Sequence, residues 1–189
     1  MNAPFPKRIL LHVCCAPCGT ASLERLRQQG TVTLFFANAN IFPAAEYARR
    51  REEVRRLAQL CGCEWVEDAY DHEAWRQWIA GLEDAPERGE RCRRCFAFSL
   101  TRAARYAAEH GYDALTTTLT ISPHKNSADI LAIGRRLTER FLDVDFKHAD
   151  GFRRSLELSR QYGLYRQDYC GCEFSLAERD RRRRRRRGA

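Results

Sequence analysis

The stretch RILLHVCCAPCGTASLERLRQQG, residues 8 to 30, decides the fold. Arg8 to Val13 is a short apolar run of strand length. Cys18 to Gly30 reads as a helix, with Ala21, Leu23 and Leu26 apolar and Gly30 as a stop signal. At the junction, CCAPC sets three thiols, Cys14, Cys15 and Cys18, in five positions at the exit of a strand.

The same alternation continues along the chain. Thr31 to Ile41 is rich in β-branched and aromatic residues and predicts a strand. Pro43 suits the first turn of a helix, where its missing N–H costs nothing. That helix carries Tyr47, Val54, Leu57, Ala58 and Cys61 on one face, with Arg49 to Arg51, Glu52, Glu53, Arg55 and Arg56 mostly elsewhere. Cys63 to Ala69 predicts a third strand, and Asp71 caps a helix with Trp75, Trp78, Ile79 and Leu82 inward. Glu83 to Cys95, with Pro86 and Gly89, is polar and reads as loop. A helix follows with Phe96, Leu100, Ala103, Ala104 and Ala107 inward, ending at Gly111. Tyr112 to Ile121 predicts a strand that runs out at SPHKN, and Ser127 caps a helix bearing Ile130, Ile133, Leu137 and Phe141. FLDVDFK, from Phe141 to Lys147, predicts a last short strand, and the segment from Gly151 reads as helix interrupted at Gly163. Strands separated by helices of this length imply βαβ units and a parallel sheet, an α/β fold with its ligand site beyond the carboxyl ends of the strands. CCAPC and SPHKN both leave strands at that edge.

At 189 residues, 44% hydrophobic and 31% charged, one globular domain is expected. No apolar stretch approaches the roughly 20 residues that span a membrane. MNAPFPKRILLHVCC lacks a signal-peptide layout, so a cytoplasmic location is expected. The net charge of +8 is concentrated in RDRRRRRRR, residues 179 to 187, which carries +7 and leaves the body nearly neutral. The expected organisation is therefore a catalytic domain over 1–178 and a disordered arginine-rich tail over 179–189, since like charges repel and bury nothing. The tail reads either as a phosphate-binding arm or as a solvated terminus.

Nine cysteines without a secretory signal argue against a disulfide scaffold. They fall into clusters: Cys14, Cys15 and Cys18; Cys61 and Cys63; Cys92 and Cys95; Cys170 and Cys172. The CRRC at Cys92 to Cys95 lies at a loop-to-helix junction, where the helix start favours thiolate. Its spacing fits metal ligation better than a thioredoxin-like redox pair, which would follow a strand directly. Two pairs on two loops match an iron–sulfur cluster or a zinc site, and cysteine count does not separate them. The C-x-C at Cys170 and Cys172 fits either a strained, easily reduced disulfide or a metal-binding pair, with Gly171 allowing unusual backbone angles. Cys61 and Cys63 lie at a helix end and a strand start and read as small packing residues. His12, within the first strand, reads as a packed core histidine. His124, Lys125 and Asn126 at the active edge read as phosphate binders, proton donors or ordinary loop polarity. Asp168 and Tyr169 beside the C-x-C read as proton donors or substrate-positioning groups. No Gly-rich phosphate loop of the Walker or dinucleotide type is present, which argues against an ATP-dependent tRNA sulfur transferase. A zinc-stabilised RNA-binding module would leave the C-x-C without a purpose.

LLHVCCAPC, RCRRCF, TTTLTISPHKN and YCGCEFS, in this order and over nearly all of residues 8 to 176, resemble the cobalamin-independent epoxyqueuosine reductases, the QueH family. The resemblance implies reduction of the epoxide of epoxyqueuosine to queuosine at the tRNA wobble position. It implies a Rossmann-like sheet of the nucleotide α-hydrolase (HUP) group, with CCAPC where that group grips phosphate. Position by position, Cys14, Cys15, Cys92 and Cys95 would hold a [4Fe-4S] cluster, and Cys170 and Cys172 would be the redox-active pair. Apart from the resemblance, the placement of Asp168 beside the C-x-C makes it the expected catalytic acid, and the placement of His124, Lys125 and Asn126 at the active edge makes them the expected substrate binders. An additional iron ion is implied, with Cys18, Cys170 or Cys172 open as its ligand; some members carry an acidic residue where this chain has Cys18. The partners implied are a tRNA carrying epoxyqueuosine and an electron donor that no motif identifies. No membrane is implied, and a monomer is expected.

Overall fold

A computed structural model describes residues 8–188. The first seven residues, part of the stretch read above for a signal peptide, and the last residue of the basic tail lie outside it. Four strands, β1 (Arg8–His12), β2 (Thr31–Phe36), β3 (Trp65–Glu67) and β4 (Ala114–Thr117), form one parallel sheet in the order β3-β2-β1-β4. Helices α1 (Ala16–Leu26), α2 (Ala44–Cys61), α3 (His72–Trp78), α4 (Glu90–Glu109), α5 (Ser127–Leu137), α6 (Gly151–Gln161) and α7 (Glu173–Arg187) complete the fold.

Ile9, Leu10 and Leu11 of β1 are all apolar and buried because both faces of the sheet are covered. Ile9, Leu11 and Val13 point to a core built with Leu23 and Leu26 of α1, Val54 and Leu57 of α2 and Leu158 of α6. Leu10 points the other way, to a core with Phe35, Leu100 and Ala103 of α4, Leu115 and Ile130 of α5. The chain winds outward from β1 to β3 and then returns to β4 on the far side of β1. That reversal places a crevice beyond the ends of β1 and β4. The Rossmann-like α/β fold expected from the sequence is the one observed.

Three elements depart from expectation. β4 stops at Thr117, whose hydroxyl accepts the Leu119 N–H and turns Thr118–Ile121 into a buried 3-10 turn instead of a longer strand. Phe141 makes one isolated parallel bridge to Leu115 where a last strand was expected. The arginine tail, expected to be disordered, continues α7 as helix through Arg187. Carboxylates offset its repulsion: Glu178 pairs with Arg181 and Arg182, and Asp168 with Arg179 and Arg183. Among the described residues no helix is long and apolar enough to cross a membrane.

Candidate metal and active site

The turn after β1 gathers the first thiols. A strand would send Cys14 and Cys15 to opposite faces. Here Cys15 is the extended N-cap of α1, so the alternation breaks and Cys18 comes round on the first turn. The sulfurs of Cys14, Cys15 and Cys18 all lie within 4.8 Å of one another, with Cys14 and Cys15 4.0 Å apart. Gly19 lets α1 pack closely, since a Cβ there would stand 2.9 Å from Leu57 Cδ2. The 3-10 turn after β4 clasps the same site: Cys14 N–H donates to Thr118 Oγ1 at 3.1 Å, and that hydroxyl donates to Cys14 Sγ at 3.4 Å.

The three thiols share charge unequally. Hydrogen bonds from Cys14 and then Cys18 hold Cys15 well below the usual thiol range, with Gln167 adding to them. Contacts with Cys14 and Cys15, and then burial, hold Cys18 well above it. Cys15 is therefore the most acidic thiol of the set.

Cys92 and Cys95 sit one turn apart at the start of α4, further into the helix than the loop expected from the sequence. Arg88 N–H donates to Cys92 Sγ at 3.2 Å, while burial pushes the Cys92 thiol up. Burial pushes Cys95 well above the ordinary range, and Cys170 and Cys172 add to the push. Trp75 Nε1, buried without a hydrogen-bond partner, acts the other way on Cys95.

Cys170 and Cys172 precede α7, with Cys172 as its N-cap. Gly171 has φ 151° and its N–H donates to Ser175 Oγ at 3.2 Å. All nine cysteines are free, so the C-x-C ring is open.

Cys14, Cys95 and Cys170, from three separate segments, line one cavity with Lys125, Asn38 and Asn40. This is the crevice beyond β1 and β4. Among the described residues only Cys14, Cys15 and Cys18 form a group of three with ligand atoms within 4.8 Å; Cys92 and Cys95 do not join it at that distance. Burial pulls Lys125 down, but negative charge on the Cys170, Cys14, Cys18 and Cys15 sulfurs, where it develops, outweighs burial and moves the ammonium above its ordinary range.

The other sequence-nominated residues lie elsewhere. His124 is exposed beside Arg88, and Asn126, in place of Ser127, caps α5 by accepting the Ala128 N–H. Asp168 does not line the cavity. Its carboxylate accepts from Arg179 at 2.8 Å and pairs with Arg183. Although partial burial opposes it, these arginines hold Asp168 below the usual carboxylate range, which makes it a poor proton donor. His12 is buried as expected, with Nδ1 2.8 Å from Thr117 Oγ1 and Nε2 3.2 Å from Ala37 O, and burial lowers its pKa. A carbonyl beside Nε2 requires the proton there, so Nδ1 accepts from Thr117. Cys61 and Cys63 pack against the core that α1 and α2 help to build.

Arg50 was hidden among the charged residues of α2 that fall mostly off its apolar face. It is 1% exposed. It lies three residues after Tyr47 and four before Val54, on the apolar stripe, and that spacing is the signal that marks it.

The donor set fits a thiophilic metal. Cys14, Cys15 and Cys18 bring three sulfurs within 4.8 Å of one another beside the cavity that Cys95 and Cys170 also line, and a cation such as iron or zinc is what would stabilise such a set together as thiolates. Trp75 Nε1 would gain a thiolate acceptor at Cys95.

A solved structure of the U34-tRNA thiolase NcsA from Methanococcus maripaludis with its [4Fe-4S] cluster is similar in fold, with TM-score 0.57 and 11% identity over 90% of this chain and 61% of that one. Relatives described as epoxyqueuosine reductase QueH are 41% identical in Streptococcus pyogenes serotype M1, over 88% of this chain and 69% of that protein, and 37% identical in Thermotoga maritima, over 90% and 91%. The family model for epoxyqueuosine reductase QueH matches residues 9–178. With this cysteine framework at the switch point of a parallel sheet, the chain belongs to the epoxyqueuosine reductase QueH family.

Proposed function

We propose that the chain reduces the epoxide of epoxyqueuosine to queuosine at the wobble position of tRNA. The observation that carries this reading is the convergence of Cys14, Cys95 and Cys170 with Lys125 on one cavity. Cys14, Cys15, Cys92 and Cys95 are the residues to hold a [4Fe-4S] cluster, and Cys18 extends the donor set for an additional iron. When bound, the cluster supplies single electrons and the iron Lewis acidity toward an epoxide oxygen.

The chain's own residues do the rest. Deoxygenation of an epoxide consumes two electrons and two protons and releases water. Oxidation of the Cys170 and Cys172 thiols to a disulfide yields two electrons and two protons, so the balance closes on this pair. An external donor of the dithiol class then restores it. Lys125, which lines the cavity beside Cys14, Cys95 and Cys170, is the group to deliver a proton to the departing oxygen. Asn38 is anchored by its Nδ2 donating to Val13 O at 2.8 Å, which fixes the wall on which a base would rest. The wobble nucleotide must leave the anticodon stack to reach the crevice.

The test is to incubate reduced, iron-loaded protein with epoxyqueuosine-containing tRNA and to analyse the nucleosides by mass spectrometry. Queuosine, lighter by one oxygen, is expected. Unchanged epoxyqueuosine from fully loaded protein supplied with reductant overturns the reading.

A further inference from the structure

The basic helix at the end of the chain is absorbed neither by the thiol site nor by the family match, which ends at residue 178. Its helix begins at the cavity: Cys172 is the N-cap of α7, and its 15 residues carry the chain roughly 22 Å away. Within it, Arg179 and Arg183 are tied to Asp168, and Arg181 and Arg182 to Glu178. Among the described residues, no carboxylate pairs with Arg184, Arg185, Arg186 or Arg187. All four are exposed.

We propose that the outer part of α7, Arg181 to Arg187, is a docking surface for the phosphodiester backbone of tRNA, aimed by the Asp168 ion pairs so that nucleotides flanking the reacting base lie along it. The proposal rests on the reading of the chain as a tRNA-acting enzyme. Charge complementarity selects the occupant. Guanidinium forks match phosphate oxygens, and a helix bearing them along its length matches a repeating polyanion. An anionic lipid surface would demand an apolar face opposite the charges. α7 has no apolar side chain beyond Ala177. The surface explains Asp168 as well: it positions the helix.

The experiment measures binding of fluorescent tRNA to the full chain across 50 to 200 mM salt, in the parent and in a variant with Arg184→Gln, Arg185→Gln, Arg186→Gln and Arg187→Gln. Gln keeps helix propensity, and circular dichroism checks it. The variant is expected to bind about tenfold or more weakly, with the slope of log K against log salt reduced by roughly 2 to 3. A second variant with Lys at the same four positions retains most of the slope, which separates charge from helix loss. Equal affinity and slope in the parent and the Gln variant overturn the proposal, as does a parent that binds phosphatidylserine vesicles but not tRNA. Loss of tRNA binding in the Gln variant, with a parent that leaves epoxyqueuosine unreduced, upholds the surface and overturns the reductase reading alone.

Discussion

The guanidinium of Arg50 donates to the carbonyl oxygen of Cys170 at 2.9 Å and to that of Tyr169 at 3.3 Å. Its Nε donates to Glu46 at 2.7 Å, inside a protein that leaves it 1% exposed. One buried fork thus fixes the backbone of the C-x-C loop against α2. Arg50→Met would leave the Glu46 carboxylate, itself mostly buried, without its guanidinium, and removing one partner of such a pair costs about 3 to 5 kcal/mol. The thermal midpoint is expected to fall by roughly 6 to 20 °C, followed by calorimetry. Arg50→Lys keeps the charge but loses the fork. Its expected signature is a shifted thiol–disulfide potential of Cys170 and Cys172 with a smaller loss of stability. A potential equal to that of the parent would show that the loop holds itself.

Gly171 meets the same neighbours from the other side. At φ 151° a side chain is strained, and a Cβ would stand 3.0 Å from Asn40 Nδ2 and 3.3 Å from Arg50 Nη1. Gly171→Ala is expected to cost about 1 to 3 kcal/mol and to displace Cys170 from the cavity. Chemical denaturation measures the first effect, and the rate of single-turnover epoxide reduction measures the second.

Much of this arrangement was legible in the residues. Leu10 and Leu11 are both buried because β1 has helices on both faces, and the unbroken apolar run announces that. The thiols were legible because four short spacings in a chain without a secretory signal have few other uses. Arg50 was not, since composition counts it with Arg49 and Arg51 and only its register with Tyr47 and Val54 sets it apart. The end of β4 misled because Thr116 to Ile121 have strong strand propensity, whereas the Thr117 hydroxyl, by capping Leu119, overrides it. The helical arginine run was hidden for a related reason: part of its compensating charge, Asp168, comes from outside the run.

Lys125, the proposed proton donor, is expected to leave the rate free of its own titration through the neutral range. Although burial lowers its pKa, negative charge developing on the surrounding sulfurs outweighs burial and raises it above the ordinary lysine value. A raised pKa keeps the proton on through the neutral range, and the charge is lost only as pH rises through that elevated value. The rate of reduction therefore has no alkaline limb from this group below about pH 10. Lys125→His is expected to bring an alkaline limb down toward neutrality, and Lys125→Met to slow reduction by about 100-fold or more at every pH. A pH–rate profile of each variant decides; unchanged profiles would remove Lys125 from the proton path.

Cys61 and Cys63 serve as internal controls for the thiols. Burial pushes the Cys63 thiol up to about 11, so at pH 7.5 fewer than roughly one molecule in a thousand carries the thiolate. Cys170 is exposed. Iodoacetamide applied briefly to metal-free protein is expected to label Cys170 and leave Cys63 unmodified, as read by peptide mass spectrometry. Cys61→Ala and Cys63→Ala should each cost about 1 kcal/mol or less.

The division of labour among the remaining cysteines follows from burial and can be read from colour. Cys15 is 1% exposed and carries the most stabilised thiolate of its cluster, whereas Cys170 lies at the open side of the cavity. If the proposed roles hold, a deeply held ligand cannot be replaced by water, but an exposed thiol outside the metal site can be lost without opening it. Cys15→Ser and Cys95→Ser, each reconstituted anaerobically, are expected to lose the broad visible absorption of an iron–sulfur protein together with most bound iron. Cys170→Ser is expected to keep both and to lose turnover. If Cys170→Ser also loses its iron, the C-x-C contributes a metal ligand rather than an electron store. Electrons must then reach the substrate without the Cys170–Cys172 disulfide, and the proton path through Lys125 would stand by itself.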